Sequence, residues 1–164
     1  MITENNKLLI RELTENDLTV IFELYSDKEA MKFRGSEPFE NIEQAFEMIY
    51  KVAENIKKGI EYRYAIIEKT TNKLIGTYLI TPITNVTCMI GCSIGKKYWR
   101  QGYGIEVMIL MMEYLKKINY EKIIGLIKKE NIPSIKLVEK LNFKLIEQTE
   151  RPDFYKYECE LITI

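Results

Sequence analysis

Apolar and polar residues along this chain follow two periods. Ile42, Ala45, Phe46, Ile49, Val52, Ala53 and Ile56 recur three and four residues apart. That spacing predicts an amphipathic helix over 41–58, with Gly59 as its stop. Thr14, with Asp17 three residues on, opens a shorter helix over 14–25 as a short-armed capping box. A third helical run follows Gly104 and reaches Lys117, and a fourth spans 133–141. Strand-like runs occupy 7–12, 62–68, 74–81, 87–94, 121–127, 144–148 and 155–162. The runs at 62–68 and 74–81 read as a hairpin over Thr70-Thr71-Asn72-Lys73, and 33–39 reads as an irregular loop. The order is β–α–α–β–β–β–α–β–α–β–β. It predicts an α/β (α+β) fold, a mixed sheet with helices on both faces. No repeat, linker or low-complexity tract interrupts it, so residues 1–164 read as a single domain.

Composition narrows the function classes. The chain has 164 residues, 46% of them hydrophobic and 29% charged, which suffices for a core of ordinary size. Lys plus Arg and Asp plus Glu both number 24, for a net charge of zero. No long-range field therefore draws in a polynucleotide or an anionic membrane, and neither is expected as a partner. With no membrane-spanning apolar run and no signal-peptide pattern, a cytoplasmic location is expected. Cys88, Cys92 and Cys159 fit that compartment. Cys88 and Cys92 read as small apolar strand residues. The chain lacks histidine and a second ligand pair, so no metal is expected. Met108, Met111 and Met112 read as core packing of the third helix.

The candidate chemistry lies in Tyr98-Trp99-Arg100-Gln101-Gly102-Tyr103-Gly104-Ile105-Glu106, between the strand at 87–94 and the third helix. A strand, a basic glycine loop and a helix N-terminus together form an anion site. The first helical turn has N–H groups without intrahelical partners, and glycine lets the backbone approach a phosphate closely. Gly104 is followed by Ile105-Glu106 rather than Lys-Ser/Thr, which excludes a Walker loop. Val107 stands where a dinucleotide fingerprint needs a third glycine or alanine. Trp99 reads as an apolar plug beside the loop.

A second segment is Asn131-Ile132-Pro133-Ser134-Ile135-Lys136-Leu137-Val138-Glu139-Lys140-Leu141-Asn142-Phe143. The two segments together resemble the Gcn5-related N-acetyltransferase (GNAT) superfamily. The first matches its Gln/Arg-x-x-Gly-x-Gly/Ala loop at Gly102 and Gly104, with Trp99 in the Gln/Arg position. The second matches its Asn-x-x-Ser…Glu-Lys-x-Gly-Phe helix. The Tyr-Trp-x-x-Gly-Tyr-Gly wording and the opening from Lys7 to Asp17 look most like the branch of ribosomal-protein-alanine and spermidine N-acetyltransferases. The resemblance implies a mostly antiparallel sheet whose two parallel middle strands, 87–94 and 121–127, splay apart around acetyl-CoA as cosubstrate. It implies backbone pairing with pantetheine near Ser93 and Ile94. It implies pyrophosphate held by Gln101, Gly102, Tyr103, Gly104 and Ile105, with Arg100 adding a charge. Asn131 would hold the pantetheine arm, and Ser134 would lie near the thioester sulfur. Read from the residues alone, Asn131 caps the fourth helix, with Pro133 in its first turn, and Ser134 satisfies a backbone group.

The implied reaction is attack of a primary amine on a thioester, with a monomer or homodimer as the working unit. An α-amine with a pKa near ~8 loses its proton more readily than an alkylamine near ~10. A protein N-terminus is therefore the expected acceptor. A polyamine or aminoglycoside is the alternative within this class, and a catalytically weak acyl-CoA-binding regulatory module is the alternative outside it. Met89 stands where many relatives carry Glu, Val138 where many carry Tyr, and Asn142 where the usual residue is Gly. Ser134 is then the remaining candidate acid. Glu37, Glu40 and Tyr155 are more distant candidates for the acceptor cleft, and each reads first as ordinary surface.

Overall fold

A computed structural model describes residues 1–147 and 149–161. Among these, eight strands form one sheet in the order β1-β2-β3-β4-β5-β6-β8-β7. The strands are β1 (Thr3–Glu4), β2 (Leu8–Glu12), β3 (Tyr62–Glu68), β4 (Lys73–Pro82), β5 (Thr87–Ile94), β6 (Lys122–Lys128), β7 (Lys144–Ile146) and β8 (Phe154–Glu160). The helices are α1 (Leu18–Ser26), α2 (Lys28–Met31), α3 (Ile42–Lys58), α4 (Tyr103–Lys117) and α5 (Ile132–Lys140). Neighbouring strands are antiparallel except β5 and β6, which are parallel. A parallel pair needs a crossover, and α4 supplies it.

Each face of the sheet carries its own core. On one, Val107, Met108, Met111 and Leu115 of α4 and Val138 of α5 pack with Ile10, Ile66, Ile80 and Ile123. On the other, Ile21 and Leu24 of α1 and Ala45 and Ile49 of α3 pack with Ala65 and Ile67 of β3. Within α3, Ala45, Ile49 and Val52 face inward, whereas Phe46 is 51% exposed. One residue on from Ala45 is about 100° round the helix, so Phe46 clears the core edge.

Several sequence boundaries coincide with the structure because strong local signals fix them. Asn41 caps α3: the Gln44 amide donates to Asn41 Oδ1 at 3.2 Å, and the Asn41 amide donates to Gln44 Oε1 at 3.2 Å. Gly59 closes the helix at φ 68°, a left-handed conformation that favours glycine. The helix expected over 14–25 instead begins as a 3-10 turn, Glu15–Asp17, before α1. The reason is the load on Asp17. Its carboxylate accepts from Arg11 Nη1 at 2.7 Å, Arg11 Nη2 at 2.8 Å and the Thr14 amide at 2.8 Å. β1 and α2 were not legible in the pattern, since two and four residues are too short to show a period. Gln148 and Ile162, at the ends of the expected closing strands, lie outside the described residues.

Burial alone would raise the Asp17 carboxyl, but its bonds from Arg11 and Thr14 outweigh burial and hold it below the usual carboxylate range. A depressed folded pKa contributes stability above the unfolded value near ~3.9, and that stability is lost as pH falls through the folded value. Asp17→Asn is expected to cost about 1.5–3 kcal/mol in urea unfolding at pH 7. The gap between variant and wild type should shrink as the pH approaches 3.

Candidate active site

The middle of the sheet opens at one end. β5 and β6 pair from Thr87↔Lys122 to Ile90↔Gly125 and then stop, although β5 continues to Ile94 and β6 to Lys128. On its other side β5 stays paired with β4 to Gly76↔Ile94. Two hydrogen bonds fix the alternation along β5. The Ile83 amide donates to Thr87 O at 2.9 Å, and the Gly95 amide donates to Ile75 O at 2.8 Å. Odd-numbered residues therefore spend their backbone groups on β4. Those of Cys92 and Ile94 turn into the opening, one residue either side of Ser93, which lies opposite Thr77. The motif alone could not supply this phase, because it fixes spacing and not the hydrogen-bonding side of a strand.

One of these groups is already claimed. The Trp99 indole Nε1 donates to Ile94 O at 2.8 Å, so Trp99 is a clasp between loop and strand while 40% exposed. Among the described residues, the Cys92 N–H and C=O and the Ile94 N–H remain.

The glycine loop places a helix end at the same spot. Arg100 and Gly102 take positive φ, 59° and 83°, which turns the chain sharply into α4. The first intrahelical bond runs from the Glu106 amide to Gly102 O at 3.2 Å. The N–H groups of Tyr103, Gly104 and Ile105 have no backbone partner among the described residues. Gln101 braces the loop, its Nε2 donating to Lys97 O at 2.9 Å. Glu106 would set a negative charge beside this positive helix end. Lys7 Nζ at 3.1 Å and Asn5 Nδ2 at 3.3 Å hold its carboxylate toward the N-terminal strands.

α5 comes alongside: a side chain at Gly104 would lie 3.5 Å from Leu137. Asn131 caps α5, its Oδ1 accepting from the Ser134 amide at 3.4 Å, and its side-chain NH₂ has no acceptor among the described residues. Ser134 is half-buried in the first turn. Glu37 and Glu40 are exposed. Tyr155 lies on β8 opposite Ile127 of β6, edge-on to Tyr157, with Lys129 Nζ 5.3 Å from its ring. Burial, with a bond to Glu139, raises the Tyr157 phenol to about 12. Burial also raises the Cys92 thiol to about 12. Among the described residues no group of His, Cys, Asp and Glu is arranged to hold a metal ion, and no helix is long and apolar enough to cross a membrane.

This combination, an unzipped parallel pair beside a bare helix end, agrees with what comparison finds. The family model described as an acetyltransferase (GNAT) domain matches residues 7–144. The chain belongs to the GNAT acetyltransferases. This GNAT chain is 30% identical over 141 residues to the uncharacterized N-acetyltransferase p20 of Bacillus licheniformis, covering 84% of this chain and 79% of that protein. The fold is similar to that of a GNAT-family acetyltransferase from Bacillus anthracis, with a TM-score of 0.84 at 22% identity over 98% and 99% of the two chains. It is also similar to that of a spermidine N-acetyltransferase from Vibrio cholerae in complex with CoA and spermine. There the TM-score is 0.80 at 21% identity, over 96% and 97% of the chains. The GNAT membership makes this protein an acetyl-CoA-dependent N-acetyltransferase.

The opening depends on a close approach behind it. A Cβ on Gly76 would collide with the Ser93 carbonyl oxygen. One on Gly91 would meet only Leu79, at 3.6 Å. Gly76→Ala is expected to destabilise the protein by about 1–3 kcal/mol, while Gly91→Ala stays near wild type in the same thermal melts.

Proposed function

We propose that this protein, acting as one domain over 1–164, transfers an acetyl group from acetyl-CoA directly to a protein N-terminal α-amine. The carrying observation is the end of β5–β6 pairing at Ile90 and Gly125, beside three unclaimed amides of α4. In this reading the pantetheine arm adds to β5 as a short strand, through the Cys92 N–H and C=O and the Ile94 N–H. The pyrophosphate rests on the amides of Gln101, Gly102, Tyr103, Gly104 and Ile105, with Arg100 adding a charge-assisted contact. Asn131 offers its side-chain NH₂ to the same arm, and Ser134 faces the sulfur.

The chemistry needs little from the protein beyond placement. The amine nitrogen attacks the thioester carbonyl carbon and forms the C–N bond. Collapse of the tetrahedral adduct breaks the C–S bond, and the thiolate takes a proton from water, directly or through the Ser134 hydroxyl, which regains one from water as it gives its own. The ammonium proton leaves to water. The chain has no histidine, and Met89 and Val138 stand where many relatives carry Glu and Tyr. An acceptor that is partly deprotonated at neutral pH suits such a site, and an α-amine near ~8 meets that need better than an alkylamine near ~10.

The test is thiol release from acetyl-CoA against N-terminal peptides, spermidine and an aminoglycoside. Turnover is expected on the peptides. CoA binding without release on any amine would leave a regulatory module, and turnover confined to spermidine would assign a polyamine substrate. On peptides, kcat/KM should rise tenfold per pH unit and level off near pH 8, following the free amine. Ser134→Ala should lower kcat by about tenfold or more with CoA affinity unchanged.

A further inference from the structure

The loop after α2 lies against the opening. Lys128 Nζ, at the end of β6 that has parted from β5, donates to Lys32 O at 3.3 Å. Two residues on, Arg34 lies 4.8 Å from the centre of the Tyr25 ring, and its Nη1 reaches Met31 Sδ at 3.1 Å. Phe39 pins the far end of the loop, stacking on Tyr25 at 5.2 Å while its amide donates to Tyr25 O at 2.8 Å. Tyr25 is itself anchored at the depth of the opening. Its hydroxyl is 2.8 Å from Thr77 Oγ1, and Thr77 is the cross-strand partner of Ser93. Arg34 thus sits on a rigid aromatic platform beside the unpaired part of β5.

Its charge is unanswered. Arg34 forms no ion pair with a carboxylate among the described residues, and its only hydrogen-bond acceptor besides the ring is a thioether. Asp27, the carboxylate whose field reaches it, caps α2 through the amides of Glu29 and Ala30. Arg63 donates to the Tyr25 hydroxyl at 2.7 Å and brings a second cation to the same ring, 6.0 Å from its centre, but Arg63 has Glu61 at 3.6 Å. Burial and the Arg63 charge both disfavour the Arg34 cation, and its charge in turn offsets part of the rise that burial imposes on the Cys92 thiol. A guanidinium kept half out of water with most of its fork unused is a receptor for a carboxylate, which it binds bidentately.

We propose that Arg34 is a specificity residue of the acceptor site, binding a carboxylate carried within a few bonds of the reacting amine. This deepens the α-amine reading and rests on it: the acceptor is an N-terminus followed by an acidic residue, or a free amino acid presenting the same group. A polycation such as spermidine meets two guanidiniums there and is excluded by charge.

The experiment pairs a peptide beginning Ser-Asp with its Ser-Asn counterpart, adds free aspartate and spermidine, and uses wild type, Arg34→Gln and Arg34→Lys. Each is read by thiol release and by calorimetric titration into the protein–CoA complex. Wild type is expected to favour Ser-Asp over Ser-Asn at least tenfold in kcat/KM. Arg34→Gln should bring the two to parity, and Arg34→Lys should keep part of the preference, with CoA affinity and melting temperature unchanged in both. A response to free aspartate equal to that of Ser-Asp would assign a small amino acid as the source of the carboxylate. Arg34-dependent binding of Ser-Asp without turnover keeps the anion site and discards the acetylation of N-termini. Turnover with equal rates on Ser-Asp and Ser-Asn, or a preference that survives Arg34→Gln, overturns the role of Arg34. Binding of neither peptide overturns both.

Discussion

The molecule is organised around a failure of strand pairing. β5 and β6 run parallel, so the chain must cross from the end of one to the start of the other, and the helix that carries it begins where β5 ends. An unpaired strand edge and the N-terminus of α4 thereby fall at one place by topology, before any side chain is chosen. Backbone groups in the interior of a sheet are costly to leave unpaired. The structure tolerates the gap because β4 holds β5 firmly from behind, through the close contact that Gly76 permits, and because Trp99 takes the Ile94 carbonyl. Opening between the middle strands, rather than fraying at an edge, gives a cleft with two walls.

Charge is distributed to the same end. The chain is neutral overall, so local arrangement decides what approaches. Glu106 would oppose an anion at the α4 terminus, yet Lys7 and Asn5 draw its carboxylate to the N-terminal strands. Asp17 is likewise occupied by Arg11. The cations Arg34 and Arg100 are left without such partners among the described residues, on two sides of the opening. A local positive bias therefore exists in a molecule with no net field.

How much of this was legible beforehand depended on whether a feature had a local cause. α3 was readable because Asn41 and Gly59 mark its ends and its inward residues keep helical spacing. β5 was readable to the residue, bounded by turn-forming segments. The glycine loop was readable because Gly102 needs a conformation that other residues resist. The hydrogen-bonding phase of β5 was not, since it depends on β4 across the sheet, and it moves the inward backbone groups from Ser93 to Cys92. Trp99 looked like a plug because composition reports its size and not the aim of its indole N–H. Arg34 carried no signal at all. It becomes conspicuous only when Tyr25 of α1 and Met31 of α2 are seen to hold it, with Phe39 of the following loop stacked on the same ring.

The indole clasp has a spectroscopic consequence. Trp99 is the only tryptophan in the chain, it is partly open to water, and its N–H is bonded to the last carbonyl of the strand that edges the cleft. Its emission wavelength and intensity therefore report on the hinge between strand and loop alone, unmixed with any other indole. The protein carries a built-in optical probe where the loop meets the strand that edges its cleft, and it needs no label.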